Sequence, residues 1–289
     1  MKLSKGGSLA LVLVAYVVAL ECAWLTASAC GKAHPVLALG LSYLVAALVI
    51  YVFSLALDNG SMFDAWWSVL PAAAVLWLAH AGGSSVPTLR TVLVACAVLV
   101  WSLRLTSNWA RDWPGLHHED WRYLDLYTKG PKPLISLGAV HVFPAAMVFL
   151  VSLPLVPALI FGHTHMNWLD WLAFVICLKG AAWEFIADEQ MRSFARTKQP
   201  GDVMRTGLWK YSRHPNYFGE LLFWWGLWVF ALSSDLAWWW TVVGPVAVTA
   251  MFLGASIPLI DARSLARRPE FQEYAKRTSR LFPLPPKKS

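Results

Sequence analysis

The chain is poor in charge. Asp, Glu, Lys and Arg make up 14% of its 289 residues, against about 25% in a soluble domain. That scarcity excludes an ordinary water-soluble globule. Cysteine is also sparse: Cys22, Cys30, Cys96 and Cys177 are scattered, and no C-x-x-C occurs. The spacing excludes a disulfide framework and a cysteine-based zinc site. No G-x-G occurs anywhere, so the glycine-rich phosphate loop of a Rossmann domain is absent. Long polar linkers, repeats and low-complexity tracts are lacking. The sequence is read as one integral membrane domain, 1–289, with the first two spans in 1–60 and the remaining bundle and tail in 61–289.

What is present is apolar length. Hydrophobic residues reach 57% and the mean hydropathy is +0.50. A bilayer is crossed by roughly 20 apolar residues in a helix. Eight candidate runs stand out: Ser8–Ala29, Pro35–Leu57, Trp66–His80, Thr91–Thr106, Leu134–Phe161, Trp168–Ala187, Tyr217–Leu232 and Leu236–Leu259. The third, fourth and seventh are short, so the expectation is an all-α polytopic bundle of seven to eight spans. Pro144, Pro154 and Pro157 are expected to bend or end the fifth. Ser8–Ala29 is too long for a typical cleaved leader and is read as a first span.

Charge sets the orientation. Of 24 Lys and Arg, 21 fall in the amino terminus (Lys2, Lys5), the loops Arg104–Lys132 and Arg192–Arg213, and the tail from Arg263. Lys32 and Arg90 fall on the opposite side. By the positive-inside rule the basic side is cytoplasmic. The excess suits anionic lipid heads or an anionic cofactor. Charge divided among loops beside a membrane does not suit nucleic acid. No obligate protein partner is indicated. A bacterial inner membrane and an endoplasmic reticulum fit equally. The tail ARSLARRPEFQEYAKRTSRLFPLPPKKS reads as a short amphipathic helix lying at the headgroups, stopped by proline.

Residues three or four apart share a helix face. Arg104, Asn108 and Arg111 form one such stripe. Glu184, Asp188, Arg192 and Arg196 form a second. A third begins the stretch YSRHPNYFGE, where Arg213, His214, Asn216, Tyr217 and Glu220 crowd the mouth of an apolar helix. Taken alone, an arginine stripe at a helix end is ordinary snorkelling. Acids are different, because a carboxylate at the centre of a span costs about 2.5–3.5 kcal/mol on insertion scales. Glu184, Asp188, Glu220 and Asp261 all lie within or at the ends of spans. Brought to one depth, the stripes, with Asp261 and Arg263, would line a cytoplasm-facing cavity: Arg for phosphate, Asp, Asn and Glu for hydroxyl and amide groups. Pro215 suits a first helical turn, whose free N–H groups would face the same cavity.

Other polar groups carry weaker signals. His117–Asp120 (HHED), His163 and His165 have poor ligand geometry, and no metal site is expected. His141 is read as a hydrogen-bonding partner inside the membrane. DNGS at Asp58 is a turn signal, and Asp64 behind it leads directly into Trp66 and Trp67.

Four segments carry a resemblance: DNGSMFDAWWSVLP, NWARDWPGLHHEDWRY, EFIADEQMRSFARTKQPGDVMRTGLWKYSRHPNYFGE and EFQEYAKRTSRLFPLPP. They resemble the steroid 5-alpha-reductase-like integral membrane proteins, particularly the bacterial and protist branch catalogued as domain of unknown function 1295. The resemblance implies a helical membrane enzyme that binds NADPH without a Rossmann fold. It implies hydride transfer to the β-carbon of an enone in a lipophilic substrate, such as a 3-oxo-Δ4 steroid, that enters from the bilayer. By motif, Asn216 and Glu220 match the residues that hold the nicotinamide end. Asp188 with Arg192 or Arg196 matches the cofactor-binding Asp and Arg. Asn108, Arg111 and Arg263 match further cofactor contacts. Asp64 stands seven residues before Pro71, as the family's acid does before its Pro. The tyrosine that partners this acid has no match: Trp101, three before Arg104, stands there. Asp64 is therefore expected to polarise the carbonyl with a neighbouring hydroxyl or water, carried protonated into the cavity by burial. The Arg-His-Pro-x-Tyr signature within SRHPNYFGE, Arg213 to Tyr217, resembles that of isoprenylcysteine methyltransferases as well, so an S-adenosylmethionine-dependent methyltransferase is the alternative. A non-enzymatic lipid-binding protein is the third reading.

Overall fold

The computed structural model describes residues 3–31, 33–83, 86–162 and 165–287. Lys2, Lys32 and His163, used in the charge and histidine readings above, lie outside them. Among the described residues the chain is helical, and its single β-bridge joins Ser212 to Ser279. All eight apolar segments fall on helices. They are α1 (Lys5–Cys30), α2 (Pro35–Ala56), α3 (Trp66–Gly82), α4 (Thr88–Asp112), then, after the short α5 (Trp121–Tyr127), an interrupted fifth span built from α6 (Lys132–Ile135) and α7 (Phe143–Ser152). Next come α8 (Trp168–Thr197) and α9 (Pro215–Ser234). The last span joins a 3₁₀ stretch Leu236–Val242 to α10 (Val243–Met251) and α11 (Ile257–Arg267), and α12 (Phe271–Arg277) lies in the tail.

Six stretches are long and apolar enough to cross a membrane: Lys5–Cys30, Pro35–Ala56, Gly60–Gly82, Thr88–Asp112, Lys132–Phe161 and Leu236–Arg267. The chain is a multi-pass helical membrane protein. The third and fourth runs, short as apolar sequence, belong to helices of 17 and 25 residues. The two long helices outside the six are α8, which carries Asp170, Lys179, Glu184 and Asp188, and the tryptophan-rich α9. The fifth span is interrupted by π-helical turns at Ser136–Val142, just before Pro144, and at Pro157–Phe161. His141, in the first of these, bonds Ser54 Oγ at 2.8 Å and the Ser136 carbonyl at 2.8 Å.

α8 and α9 touch backbone to backbone. A Cβ on Gly180 would lie 2.6 Å from the Phe223 nitrogen, and one on Gly219 would lie 2.7 Å from the Glu184 nitrogen. Only residues without a side chain permit this approach. It brings Glu184 of α8 beside the turn of α9 that carries Glu220.

At the other end of the bundle, Arg90 was counted above as a loop charge. It is instead wholly buried in the first turn of α4. Its Nε and Nη2 meet the two Asp170 oxygens at 2.7 and 3.0 Å, and its Nη1 donates to the Gly162 carbonyl at 2.9 Å. Asp170 also closes the capping box with Asn167 at the start of α8. The tail too departs from its reading as a surface helix at the headgroups. Phe271, Tyr274 and Leu281 are buried. Tyr274 donates to the Trp209 carbonyl at 2.5 Å, Ser212 Oγ to the Leu281 carbonyl at 2.7 Å, and Leu284 N to the Tyr211 carbonyl at 3.0 Å. The tail is thus strapped onto the segment 207–214 that precedes α9.

Candidate functional site

The polar stripes converge at one end of the bundle, and they meet each other before they meet open space. Arg104 of α4 pairs with Glu184 at 2.6 Å and with Asp188 at 2.9 Å. Asn108 Nδ2 donates to Asp188 at 3.0 Å, and Asn216 bonds to Asp188 from α9. Arg192 donates to Asn108 and Glu189, and reaches Asp112 at 2.8 Å. Arg111 is exposed and bonds Glu189 at 2.6 Å. The expected open cavity lined by three stripes is therefore, in its centre, a packed network. It retains unspent capacity, because Glu184 Oε2 and the Nε atoms of Arg104, Arg192 and Arg213 are buried without a hydrogen-bond partner. Arg196 is exposed at the end of α8 and lines none of the cavities described below.

Glu220 is buried at 4% exposure and is held by three indole N–H groups from three helices. Trp67 donates to Oε1 at 3.0 Å, Trp224 to Oε1 at 2.9 Å and Trp101 to Oε2 at 2.8 Å. This explains the tryptophan at position 101: its indole serves Glu220. In sequence these tryptophans read as span-filling aromatics, and only the packing of α3, α4 and α9 shows their shared task.

Asp64 finds its hydroxyl partner elsewhere. Tyr123, the second residue after Trp121 in HEDWRY, donates to Asp64 Oδ1. Sequence reasoning quoted this segment and passed over the tyrosine, because the partner was sought on α4. α5 is set in place by Asp120, whose side chain caps Arg122 N at 2.8 Å and whose own N–H donates to Ser61 Oγ at 2.7 Å. Burial, with the charge of Asp64 added, pushes the Tyr123 phenol well above its usual pKa, so it remains a proton donor at neutral pH. Burial raises the Asp120 carboxyl, but its bidentate bonds to Arg122, at 2.8 and 3.1 Å, outweigh this and hold it below the usual range.

Asp64 lines a cavity of about 320 Å³ together with Ser61, Trp67, Asn108, Trp109 and Trp113. A second cavity of about 270 Å³ shares Asp120 with the first and lies between α5 and the end of α11, where Arg263 stacks 3.8 Å over the Trp121 ring. A third, also about 270 Å³, shares Ile260, Ser264 and Arg268 with the second. Its walls include Arg213, His214, Asn216 and Tyr217 at the uncapped start of α9, and Phe271 and Tyr274 from the tail. Asp261 sits behind this wall, bonded to Arg213 at 2.7 Å and His214 at 2.9 Å. Arg213 spends its remaining Nη on the Ala275 and Thr278 carbonyls at 2.8 and 3.3 Å, fastening the tail.

Of the sequence-derived residues, Asp64, Asn108, Arg213, His214, Asn216, Tyr217 and Arg263 line this run of adjoining cavities. Arg104, Glu184, Asp188, Arg192, Glu220 and Asp261 form the layer behind it. Arg111 and Arg196 are peripheral. Among the described residues no group of three or more His, Cys, Asp or Glu is placed to hold a metal ion.

Known proteins give a family and no activity. An uncharacterized protein of Schizosaccharomyces pombe is 27% identical over 263 residues, covering 81% of this chain and 76% of the relative. No solved structure matches. The family match spans residues 50–278, which takes in every residue of the adjoining cavities and of the layer behind them. This chain belongs to the family described as Protein of unknown function (DUF1295).

Proposed function

We propose that the chain is an NADPH-dependent membrane reductase of an activated C=C bond in a lipophilic ketone, with a 3-oxo-Δ4 steroid as the representative substrate. The observation that carries this reading is the Asp64–Tyr123 pair: a carboxyl that lines a cavity of about 320 Å³ with three tryptophans, in contact with a phenol behind it. Such a pair stabilises an oxyanion at one atom.

The three adjoining cavities suit an elongated, partly anionic cofactor: Asn216, Tyr217, His214 and Arg213 at one end, arginines in the middle, and the Asp64 pocket at the other. When bound, NADPH supplies a hydride to the β-carbon of the enone. Tyr123 and Asp64 hold the carbonyl oxygen as negative charge develops on it, and the α-carbon takes its proton from water. Asn108 and Trp67 bound the ring system, with Trp67 held in place by Glu220. The substrate enters from the bilayer and the cofactor from the cytoplasmic side, where the basic loops lie.

Thermal shift of the detergent-purified protein with NADPH, NADH and S-adenosylmethionine tests the cofactor, and loss of NADPH absorbance with a 3-oxo-Δ4 steroid tests the reaction. NADPH stabilisation that weakens in Asn216→Ala, with turnover lost in Asp64→Asn, is expected. Stabilisation by S-adenosylmethionine alone overturns the reading in favour of methyl transfer. Binding of lipid with no nucleotide response leaves a lipid-binding protein.

A further inference from the structure

The cavity between α5 and the end of α11 has an unusual charge balance. Its lining holds Asp120, Arg122, Arg263, Ser264, Arg267 and Arg268. Three acids stand nearby in the chain, and each is already matched. Asp120 is taken by Arg122 in a two-point contact. Asp261 is taken by Arg213 and His214. Glu270 pairs with Arg205 at 2.8 Å. Among the described residues, no carboxylate lies within ion-pair distance of Arg263, Arg267 or Arg268. Arg263, Arg267 and Arg268 therefore line a concave space of about 270 Å³ whose one carboxylate, Asp120, is already taken by Arg122.

Position narrows the ligand. A solitary basic helix end would face open solvent or lipid heads. This cavity instead lies between two others, sharing Asp120 with the Asp64 pocket and Ile260, Ser264 and Arg268 with the pocket of Asn216 and Tyr217. A ligand with one end in each neighbouring pocket would place its anionic middle among these arginines. Guanidinium groups recognise phosphate oxygens by paired, charge-assisted hydrogen bonds. Ser264 adds a hydroxyl donor, and Trp121 holds Arg263 from behind.

We infer that Arg263, Arg267, Arg268 and Ser264 form a binding site for a diphosphate group, the bridge between the two halves of a dinucleotide. That the diphosphate belongs to NADPH rests on the function proposed above; the anion site itself does not. Bilayer phosphates share the same chemistry, and the experiment separates the two sources.

The protein, reconstituted in zwitterionic nanodiscs, is titrated with inorganic pyrophosphate and with NADPH, as wild type and as Arg267→Ala/Arg268→Ala. Both arginines are at least partly exposed, so the variant retains its fold. Arg280→Ala, an exposed basic change elsewhere in the tail, is the control. Pyrophosphate is expected to bind wild type and compete with NADPH. The double variant is expected to bind both about 10- to 100-fold more weakly, as loss of charge-assisted contacts implies, with Arg280→Ala unchanged. Pyrophosphate binding that the double variant loses, with no NADPH binding in wild type, keeps the anion site and overturns NADPH as its source. NADPH binding indifferent to both arginines overturns the site and leaves the reductase reading standing. Failure of pyrophosphate to bind wild type overturns the site. So does a variant altered only in its stabilisation by added phosphatidylglycerol, which assigns the arginines to headgroups.

Discussion

The two ends of the bundle both bury charge, and they do so in opposite ways. At one end Arg90 and Asp170, each with 0% exposed side chain, form a closed unit. The arginine's fork is filled by the Asp170 carboxylate and the Gly162 and His165 carbonyls, and the helix-capping box of α8 completes the unit. At the other end Arg104, Glu184, Asp188, Asn108 and Arg192 form a network with buried atoms still lacking partners, beside a row of cavities. The difference separates a fastening from a site. Charge buried for structure is matched within the chain, whereas charge buried for recognition keeps capacity for something else.

That contrast can be broken. Asp170→Ala leaves Arg90 buried without its counter-charge, and removing one partner of a buried pair costs about 3–5 kcal/mol. Thermal unfolding in detergent should show the largest loss of any single change. The double change Arg90→Met/Asp170→Leu should recover most of it, since replacing a whole buried pair by apolar groups is often neutral. At the other end the penalty falls on chemistry. Asp64→Asn should lower enone turnover by roughly 10²- to 10⁴-fold with little change in melting temperature, and Tyr123→Phe should lower it by less. An Asp64→Asn enzyme of normal turnover removes the assignment of that pocket.

The seam between the two ends gives an intermediate effect. Gly219→Ala forces a Cβ to 2.7 Å from the Glu184 backbone nitrogen, and overpacking of this kind costs about 1–3 kcal/mol. It should lower stability and NADPH affinity together, because Asn216 and Glu184 move with the seam. The smallest effect concerns acid. The Asp120 carboxyl is held below its ordinary value by Arg122. Its contribution to stability is therefore complete above the unfolded pKa of about 3.9 and disappears as pH falls through the lower folded value. Arg122→Gln should flatten that acid limb in a melting-temperature profile between about pH 5 and pH 2.

Much of this architecture was legible as sequence. Apolar length located all eight helices, and helical spacing grouped Arg104 with Asn108 and Glu184 with Asp188, because such neighbours are fixed by local geometry. The charge-poor background also made Asp64 stand out. Partners across helices were not legible. Arg90 looked like one more loop cation, since nothing local to it announces Asp170, eighty positions later. Tyr123 and the three indoles on Glu220 depend on how α3, α4, α5 and α9 pack. The tail's docking depends on backbone carbonyls of 209–212, which have no sequence signature at all. A usable signal did exist: HEDWRY sits within a family-like segment and offers the nearest phenol after the Asp64 helix.

The strapped tail has a consequence for how the site is lost. The pocket of Asn216 and Tyr217 borrows Phe271 and Tyr274, and its fastening runs on to Leu284. Proteolysis just before Phe271 would leave the spans in the membrane and take away one wall of that pocket, so ligand binding would fail while membrane insertion survived.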